Sequence, residues 1–235
     1  MIGIKTTKWY DSKFYGLGNQ EYQATQKKLM QLLDGVVGTR FLDIGCGRGQ
    51  FTMECASLIH ADEIYGLEIN EQEGHKAQKK GVEVITGDAS QGFPFASEYF
   101  DVIMANQMLE HVLYTDNMLS ECYRVLRSNG ILLLSVPNLC SLLQRALILF
   151  GHQPTTLHVS GIQVGNFLRG VETGNAHLHA FAPPALKDLI RYHHFRIEKL
   201  CGSGFYPLPL MLSEFASKLF PRMAVYLILK ARRGL

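Results

Sequence analysis

The residues best suited to chemistry stand in the segment from Phe41 to Gly49, which reads FLDIGCGRG. An apolar run enters this segment, three glycines alternate at Gly45, Gly47 and Gly49, and apolar residues recur at helical spacing beyond it. That order predicts a strand, a tight turn and the start of a helix. Because glycine has no Cβ, such a turn lets the backbone approach a bound ligand closely.

An acid, Asp43, lies two residues before the first glycine. In dinucleotide-binding folds a pyrophosphate rests on the helix N-terminus after the turn, and a carboxylate there would repel it. Asp43 instead favours a ligand that carries an ammonium group and no phosphate. S-adenosylmethionine (SAM) meets both conditions, and NAD does not.

Further acids are expected at the carboxyl ends of the following strands, where ligands bind in open α/β sheets. Glu68 lies 19 residues after Gly49, close to the ~20-residue spacing at which an acid meets ribose hydroxyls. Asp88 follows the next strand, and a carboxylate there can accept from an adenine amino group while a neighbouring N–H meets a ring nitrogen. The segment 106–111 follows the fourth strand and would face the methionine portion and the reacting centre.

Bulk properties place the chain among globular proteins. Its 235 residues, 47% of them hydrophobic and 19% charged, suit one well-buried α/β domain. A net charge of +2 is too weak to indicate a nucleic-acid partner. Five cysteines without a Cys-x-x-Cys pair indicate reduced thiols of a cytoplasmic protein and no metal site. We expect neither a signal peptide nor a membrane span.

Strand and helix periods alternate from residue 40 onward, which predicts a doubly wound parallel sheet. Helices are expected near 20–34 and over 50–60, 71–80, 115–127 and 139–150, with another from Pro183; Asn129-Gly130 would cap the fourth of these. The predicted strands are 40–44, 63–68, 82–86, 99–106, 131–136, 195–201 and 223–230, with a short helix between the last two.

A single domain over residues 1–235 is predicted, in four parts. Residues 1–38 form an N-terminal lead or cap with aromatics at Trp9, Tyr10, Phe14 and Tyr15, and residues 39–137 form the SAM-binding core. Residues 138–182 are too long for an ordinary loop and are expected to be an insertion over the ligand face. Residues 183–235 supply a helix and the final strands.

Taken in order, these motifs resemble those of class I SAM-dependent methyltransferases, in the small-molecule, type 11 subset that includes quinone-biosynthesis enzymes. The motifs are Asp43–Gly49, Gly66-Leu-Glu68, Gly87-Asp88, Phe100-Asp-Val-Ile with Glu110-His111, and Leu126-Arg with Gly130-Ile-Leu. The resemblance implies a Rossmann-like sheet of seven strands whose last strand is antiparallel. It also implies that Asp43 and the glycines hold the methionine end of SAM, Glu68 the ribose and Asp88 the adenine. The predicted cofactor contacts are Asp43, Gly45, Cys46, Gly47, Gly49, Glu68, Ile69, Asp88, Ala89, Asn106, Gln107 and His111.

Transfer of a methyl group to an O, N or C atom of a small molecule is the implied reaction, with a saccharide, quinone-like or lipid-linked acceptor. Three histidines are candidate general bases because imidazole titrates near neutral pH: His111, His177 and His179. His177 and His179 stand two residues apart, so in extended chain only one of them faces the acceptor. Each could instead be a structural histidine. A weak peripheral membrane contact and a monomer or homodimer are further expectations.

Two other functions remain open from the sequence. A SAM-binding sensor or partner subunit without catalysis would carry the same motifs. A nicotinamide-dependent oxidoreductase could use the same fold, although Asp43 and the alternating glycines argue against it.

Overall fold

A computed structural model describes residues 8–171 and 177–234, with side chains from Gln20 onward apart from Leu210. The N-terminal aromatic side chains predicted to belong to a cap therefore lie outside the described residues, as does most of the glycine-rich stretch before His177. Within the described ranges no helix is both long enough and apolar enough to span a membrane.

Seven strands form one sheet with the spatial order β3-β2-β1-β4-β5-β7-β6. Strands β1 to β5 pair in parallel, whereas β7 is antiparallel to both of its neighbours, so that β6 runs in the same direction as β5. The predicted mostly parallel, doubly wound sheet with an antiparallel last strand is confirmed. The strands are β1 Arg40–Ile44, β2 Glu63–Glu68, β3 Glu83–Thr86, β4 Phe100–Asn106, β5 Leu126–Pro137, β6 Phe195–Ser203 and β7 Tyr226–Arg233.

Helices cover both faces of this sheet. Alternate residues of β1 belong to different cores: Phe41 packs in the cluster that contains Leu29 and Leu33 of the first helix, whereas Leu42 packs in the cluster that contains Leu119. Burial on both faces explains the apolar residues Phe41, Leu42 and Ile44 of β1, among which Asp43 is the buried exception. The helices are α1 Lys8–Leu33, α2 Gln50–Leu58, α3 Glu71–Gln78, α4 Thr115–Val125, α5 Leu142–Leu149, α6 Pro183–Tyr192 and α7 Leu210–Leu219.

The predicted helix cap at Asn129-Gly130 is wrong. Helix α4 ends at Val125, and β5 begins at the next residue. The backbone N–H of Tyr99 donates a hydrogen bond to the Val125 carbonyl, and Phe100 pairs with Leu126. Strand pairing therefore begins at the residues that were predicted to form the last turn of the helix. Asn129, with φ 62°, turns the chain inside a register irregularity of β5.

Hydrogen bonds hold the two ends of the insertion, residues 138–182, beside each other. Asn138 and Phe181 form an isolated bridge, and Leu139 N–H donates to the Phe181 carbonyl. Because this bridge precedes it, α5 begins at Leu142 and not at residue 139, with Ser141 as its N-cap. Since β5 and β6 are parallel, Pro137 and Ser203 end at the same edge of the sheet, and the segments that follow both strands start beside the ligand face.

Candidate active site

The glycine turn has the conformation that its sequence predicts. Gly45, Gly47 and Gly49 have φ of 79°, 51° and 73°, a region that side chains with a Cβ seldom adopt. A Cβ on Gly47 would meet nothing within 4 Å, so this part of the turn borders open space. A Cβ on Gly49 would lie 2.8 Å from that of Ala77, so this glycine is required for packing. The turn therefore supplies both an exposed backbone and a tight helix contact.

Asp43 lies beneath this turn and is 4% exposed. Its Oδ2 accepts a hydrogen bond of 2.7 Å from Thr52 Oγ1. Burial raises the pKa of Asp43 to about 7, and the nearby Glu68 carboxylate adds to the increase. No lysine or arginine among the described side chains forms an ion pair with Asp43. A buried acid without a cationic partner is suited to an incoming ammonium group.

Glu68 is held at the end of β2 by two backbone N–H groups. Gly47 N–H donates to its Oε2 at 2.9 Å and Asn70 N–H to its Oε1 at 2.8 Å. One bond to each oxygen leaves the remaining lone pairs available to hydroxyl donors. The bond from Gly47 also joins the acid to the glycine turn. Sequence alone predicted the two features separately, and the fold brings them into direct contact.

The two residues predicted beside the adenine differ in what they can offer. Gly87 N–H donates to the Glu68 carbonyl at 3.0 Å, so Asp88 follows directly beyond Glu68 along the same edge. Asp88 Oδ1 accepts from Ser90 N–H at 2.8 Å, which orients the carboxylate. The Ala89 side chain is buried in the core, which leaves only its backbone for a ligand. Ile69 is 65% exposed, an apolar side chain beside the acid that suits one face of a flat base.

These residues fit SAM. A buried unpaired acid matches the ammonium, an anchored acid with spare lone pairs matches a diol, and the exposed Ile69 matches an aromatic ring. The cofactor-contacting set remains a prediction at the level of single residues.

Cys46 packs inward from the turn, against β2. A Cβ added to Gly66 would collide with Cys46 Sγ and would lie 3.1 Å from Val82. The Cys46 side chain belongs to a small buried cluster with Ala77 and Val82. The predicted contact of Cys46 with the cofactor is therefore open only to its backbone.

Gly66→Ala should destabilise the fold by roughly 1–3 kcal/mol, because it overpacks this cluster. The additional Cys46→Ala substitution removes the sulfur and should restore most of the lost stability, measured by urea denaturation. Gly161→Ala is the matched control, because a Cβ at that position meets nothing within 4 Å. Gly35→Ala is unsuitable, since Gly35 has a φ of 71°. Equal losses in the single and double variants would contradict the proposed steric cause.

A cavity of about 360 Å³ opens beyond the ends of β4 and β5. Its wall is a mixture of apolar and polar side chains from distant parts of the chain. Tyr22 of α1, Gln107 after β4, Leu143 and Gln144 of α5, and Tyr226 of β7 all contribute. Because Gln107 and His111 belong both to this wall and to the predicted cofactor contacts, the cavity adjoins the predicted SAM site.

Tyr22 joins the two regions and was missed by the sequence analysis. Its hydroxyl accepts from Asn106 Nδ2 at 3.1 Å, and Asn106 Oδ1 in turn accepts from Ser135 Oγ at 2.6 Å. Burial raises the pKa of Tyr22, and the Asp43 and Glu110 carboxylates raise it further. Tyr22 thus lies within the electrostatic reach of both sites. A lone tyrosine in a polar helix carries no sequence signal for this position.

Glu110 stands in one of the sequence motifs beside His111, but the sequence assigned it no role in the site. It is 1% exposed, and neither carboxylate oxygen has a hydrogen-bond partner. Burial raises its pKa to about 8. Its Oε1 lies 4.0 Å from His111 Nε2, beyond hydrogen-bond distance. Burial therefore favours the protonated form of this acid, which lies beside a predicted base.

His111 and His177, which are far apart in the sequence, meet in the cavity wall. Their ring centroids are 4.9 Å apart, and one ligand atom from each lies with one from Glu110 in a group within 4.8 Å. Such a donor set occurs in zinc sites, but two ligands of a tetrahedral zinc lie about 3.4 Å apart, closer than the 4.0 Å found here. The spacing is that of neither a preformed zinc site nor a hydrogen bond, and the absence of a metal remains a prediction.

The tautomers of the neighbouring histidines follow from their carbonyl partners. His177 Nδ1 lies 3.2 Å from the Thr156 carbonyl, which can only accept, so Nδ1 carries the proton and Nε2 the lone pair. His158 stacks on His177 and accepts from the His177 backbone N–H through Nδ1. Burial, with His111 and His158 nearby, lowers the pKa of His177 to about 4. His177 is thus neutral over the physiological range.

His179 occupies a different position from His177, as the two-residue spacing predicts. Its Nε2 lies 3.4 Å from the Leu113 carbonyl and its ring is near Phe181, and it is not part of the described cavity wall. The backbone N–H groups of Leu178 and His179 both donate to the Glu110 carbonyl, which holds this segment against the acid. The geometry favours His111 and His177 over His179 as the base.

Residues 42–134 match the model of the methyltransferase domain family. A demethylmenaquinone methyltransferase of Bacillus mycoides is 28% identical over 129 residues, 52% of this chain and 54% of the relative. A malonyl-[acyl-carrier protein] O-methyltransferase of Methylococcus capsulatus is 33% identical over 96 residues, 39% of this chain and 34% of the relative. The chain thus spans about half or less of the length of these curated relatives.

Among solved structures, a SAM-dependent methyltransferase of Thermotoga maritima, described as a possible histamine N-methyltransferase, has the same fold. The two align with a TM-score of 0.61 and 19% identity over 95% of this chain and 96% of the other. Sheet order, glycine turn and flanking acids agree with these comparisons: residues 42–134 match a methyltransferase domain, within the fold of a SAM-dependent methyltransferase, and SAM is the cofactor that this match implies.

Proposed function

We propose that this protein transfers a methyl group from SAM to a small molecule held in the 360 Å³ cavity. The observation that carries the proposal is the group of Glu110, His111 and His177 in the cavity wall, beside the predicted cofactor contacts. A site that only bound SAM would have no need for a desolvated acid against two imidazoles. Perturbed titratable groups in a pocket are typical of catalytic sites.

Bound SAM supplies an electrophilic methyl group on a positive sulfonium. The chain's own residues then have to hold the acceptor in line, exclude water and take up the proton that the acceptor loses. Positioning of this kind supplies up to roughly 7–11 kcal/mol of the barrier reduction in favourable cases. His111 is the proposed base, and Glu110 stabilises the imidazolium that forms once the acid has ionised. His177, neutral with its Nε2 lone pair, is the second acceptor for the proton.

The acceptor is proposed to be partly apolar. The cavity wall contains the apolar side chains of Leu143, Phe167 and Leu168 together with the polar side chains of Gln144 and Thr155, so it suits an occupant with both apolar and hydroxyl-bearing parts. Saccharide, quinone-like and lipid-linked molecules all have this character. The relatives named above are a demethylmenaquinone methyltransferase and a malonyl-[acyl-carrier protein] O-methyltransferase. The labelled products of the assay below decide between an O, N and C acceptor atom in this protein.

Turnover should rise with pH through about 8, because burial raises the pKa of Glu110 to that value and only the ionised acid stabilises a charged His111. Glu110→Gln should remove this rise and lower the high-pH turnover by about 10²-fold, within the range of acid–base contributions. The measurement is the pH profile of kcat between pH 6 and 9.5, with Glu121→Gln as the control. A rise that persists in Glu110→Gln would exclude Glu110 as the cause of the pH dependence. Loss of turnover after EDTA treatment, with recovery on addition of zinc, would show that a metal centre acts in this site in place of a histidine base.

The direct test of the function is incubation with methyl-labelled SAM and a panel of saccharides, quinols, fatty-acid thioesters and lipid-linked sugars. Labelled product from one class supports an enzyme of that class. Calorimetric binding of S-adenosylhomocysteine with no product from any class would favour a sensor or partner subunit. Tight NAD binding without binding of S-adenosylhomocysteine would favour an oxidoreductase.

The domain organisation is part of the same proposal. Residues 39–137 would hold the cofactor, and the insertion 138–182 would cover the acceptor within one domain. The bridge between Asn138 and Phe181 supports this, because it returns both ends of the insertion to the edge of the cavity. The cytoplasmic location and the monomeric or homodimeric state remain predictions.

A further inference from the structure

Helix α7 is inverted relative to an ordinary surface helix. Its apolar side chains face solvent, with Met211 88% and Phe215 63% exposed, and Leu212, Leu219 and the following Phe220 also exposed. Its serines, Ser213 and Ser217, are buried. Surface helices usually turn their apolar stripe toward the core. An apolar stripe that faces solvent therefore indicates a surface that a protein, a ligand or a membrane covers.

The inversion is fixed by polar contacts on the inner face. Ser213 Oγ accepts from Phe205 N–H at 2.6 Å and donates to Glu21 Oε1 at 3.4 Å. Ser217 Oγ accepts from Lys28 Nζ at 2.8 Å. Two of these three bonds reach α1, and together they hold α7 with its apolar side outward. The exposed stripe is thus a stable feature of the fold.

A second exposed apolar segment lies at the end of α5, where Ile148, Leu149 and Phe150 are all exposed. Both helices follow strands that end at the same sheet edge, and Asn138 Nδ2 donates to the carbonyls of Arg222 and Ala224, which joins the two regions. We define the docking face as these exposed apolar side chains: Ile148, Leu149, Phe150, Met211, Leu212, Phe215, Leu219 and Phe220.

The docking face flanks the cavity. Helix α5 contributes Leu143 and Gln144 to the cavity wall, and the segment that leads into α7 contributes Tyr206. An occupant of the cavity that extends outward would therefore leave it between two apolar helices.

The charged residues in the segments around the docking face favour an anionic lipid bilayer over other occupants. The segments that carry it, residues 138–171 and 204–224, contain four bases and one acid: Arg145, Arg169, Lys218 and Arg222 against Glu214. The whole chain has a net charge of only +2, so these segments are more positive than the remainder of the chain. Apolar side chains bordered by Lys and Arg are the pattern of peripheral helices on anionic bilayers.

We propose that the docking face binds an anionic lipid bilayer and that the methyl acceptor is an amphiphile drawn from it, with its polar part in the cavity and its apolar part toward the membrane. The choice of acceptor rests on the proposed function, whereas the docking itself does not. The contact is peripheral, by two helices lying in the interface.

Flotation of the full chain with vesicles tests the docking. We expect binding to vesicles of 30% phosphatidylglycerol in phosphatidylcholine to exceed binding to pure phosphatidylcholine by about tenfold or more. Phe215→Ser with Leu219→Ser should lower binding to the anionic vesicles by roughly tenfold or more. Lys218→Glu with Arg222→Glu should abolish the preference for phosphatidylglycerol. Tyr192→Ser on α6, also an exposed aromatic, is the matched control and should bind like wild type.

Calorimetry with S-adenosylhomocysteine shows that each variant is folded and separates the two proposals. Variants that keep S-adenosylhomocysteine binding and lose vesicle binding support the docking face. Vesicle binding equal in wild type, Phe215→Ser/Leu219→Ser and Tyr192→Ser overturns it, whatever the methylation assay gives. A dimer in light scattering that dissociates in Phe215→Ser/Leu219→Ser, with no vesicle binding by wild type, overturns it in favour of a second copy of the chain.

Discussion

Asp43→Asn should reduce the affinity for S-adenosylhomocysteine by about 30-fold or more. Asp43 is buried and forms no ion pair with a described lysine or arginine, so the ligand's ammonium would be its cationic partner. Removing one member of a buried charge pair costs about 2–5 kcal/mol, because the other charge stays desolvated. Asn preserves the shape and can still accept from Thr52, so a loss of affinity would report the charge. Isothermal calorimetry measures it.

The matched control is Asp62→Asn, at an exposed acid after α2, which should leave the affinity unchanged. Affinity within threefold of wild type in Asp43→Asn would contradict the role of Asp43 as the ammonium partner. NAD binding is a second readout, since removal of a negative charge from the turn should not weaken a phosphate-bearing ligand.

The same substitution should stabilise the ligand-free protein at alkaline pH. The folded-state pKa of Asp43 is raised from 3.8 to about 7, so its contribution to stability is present below pH 3.8 and is lost as the pH rises through 7. Asn is neutral at every pH and avoids this loss. A gain of about 1 kcal/mol would raise the Tm at pH 8 by roughly 2–4 °C. On these two predictions, Asp43 lowers the stability of the ligand-free protein and raises its affinity for S-adenosylhomocysteine.

His111→Ala should lower kcat by about 10²–10⁴-fold, the range of a general base, while S-adenosylhomocysteine binding weakens far less. His111 lies in the cavity wall, 4.0 Å from the buried Glu110 and 4.9 Å between ring centroids from His177. The measurement is single-turnover methyl transfer at pH 8.5, with added imidazole as a test of chemical rescue.

His177→Ala should show a smaller loss than His111→Ala, because a pKa of about 4 makes His177 a weak base. His179→Ala and His152→Ala are controls outside the described cavity wall and should retain turnover within a few fold. Wild-type turnover in both His111→Ala and His177→Ala would exclude a histidine base. Catalysis by positioning alone would then be the remaining mechanism.

Local features of the sequence were sufficient for the sheet and the cofactor turn. Gly45, Gly47 and Gly49 adopt positive φ in the turn between β1 and α2, a conformation that glycine adopts without steric cost. Apolar strands with both faces covered are typical of a doubly wound sheet. Glu68 ends β2 as predicted because strand ends are marked by turn residues in the chain itself. The cap at Asn129-Gly130 failed because pairing of β4 with Leu126 replaced the last turn of the helix.

The sequence by itself determined the parallel sheet, the glycine turn and the order of acids along its edge, because each depends on residues within a few positions of one another. Only the tertiary structure decided that His177 meets His111, that Tyr22 joins the cofactor edge to the cavity, and that Glu110 and Asp43 lose their water. Desolvation and long-range proximity decide these, and neither is encoded in local spacing. The outward apolar face of α7 has the same origin, since Ser213 and Ser217 find partners on α1, far away in the chain.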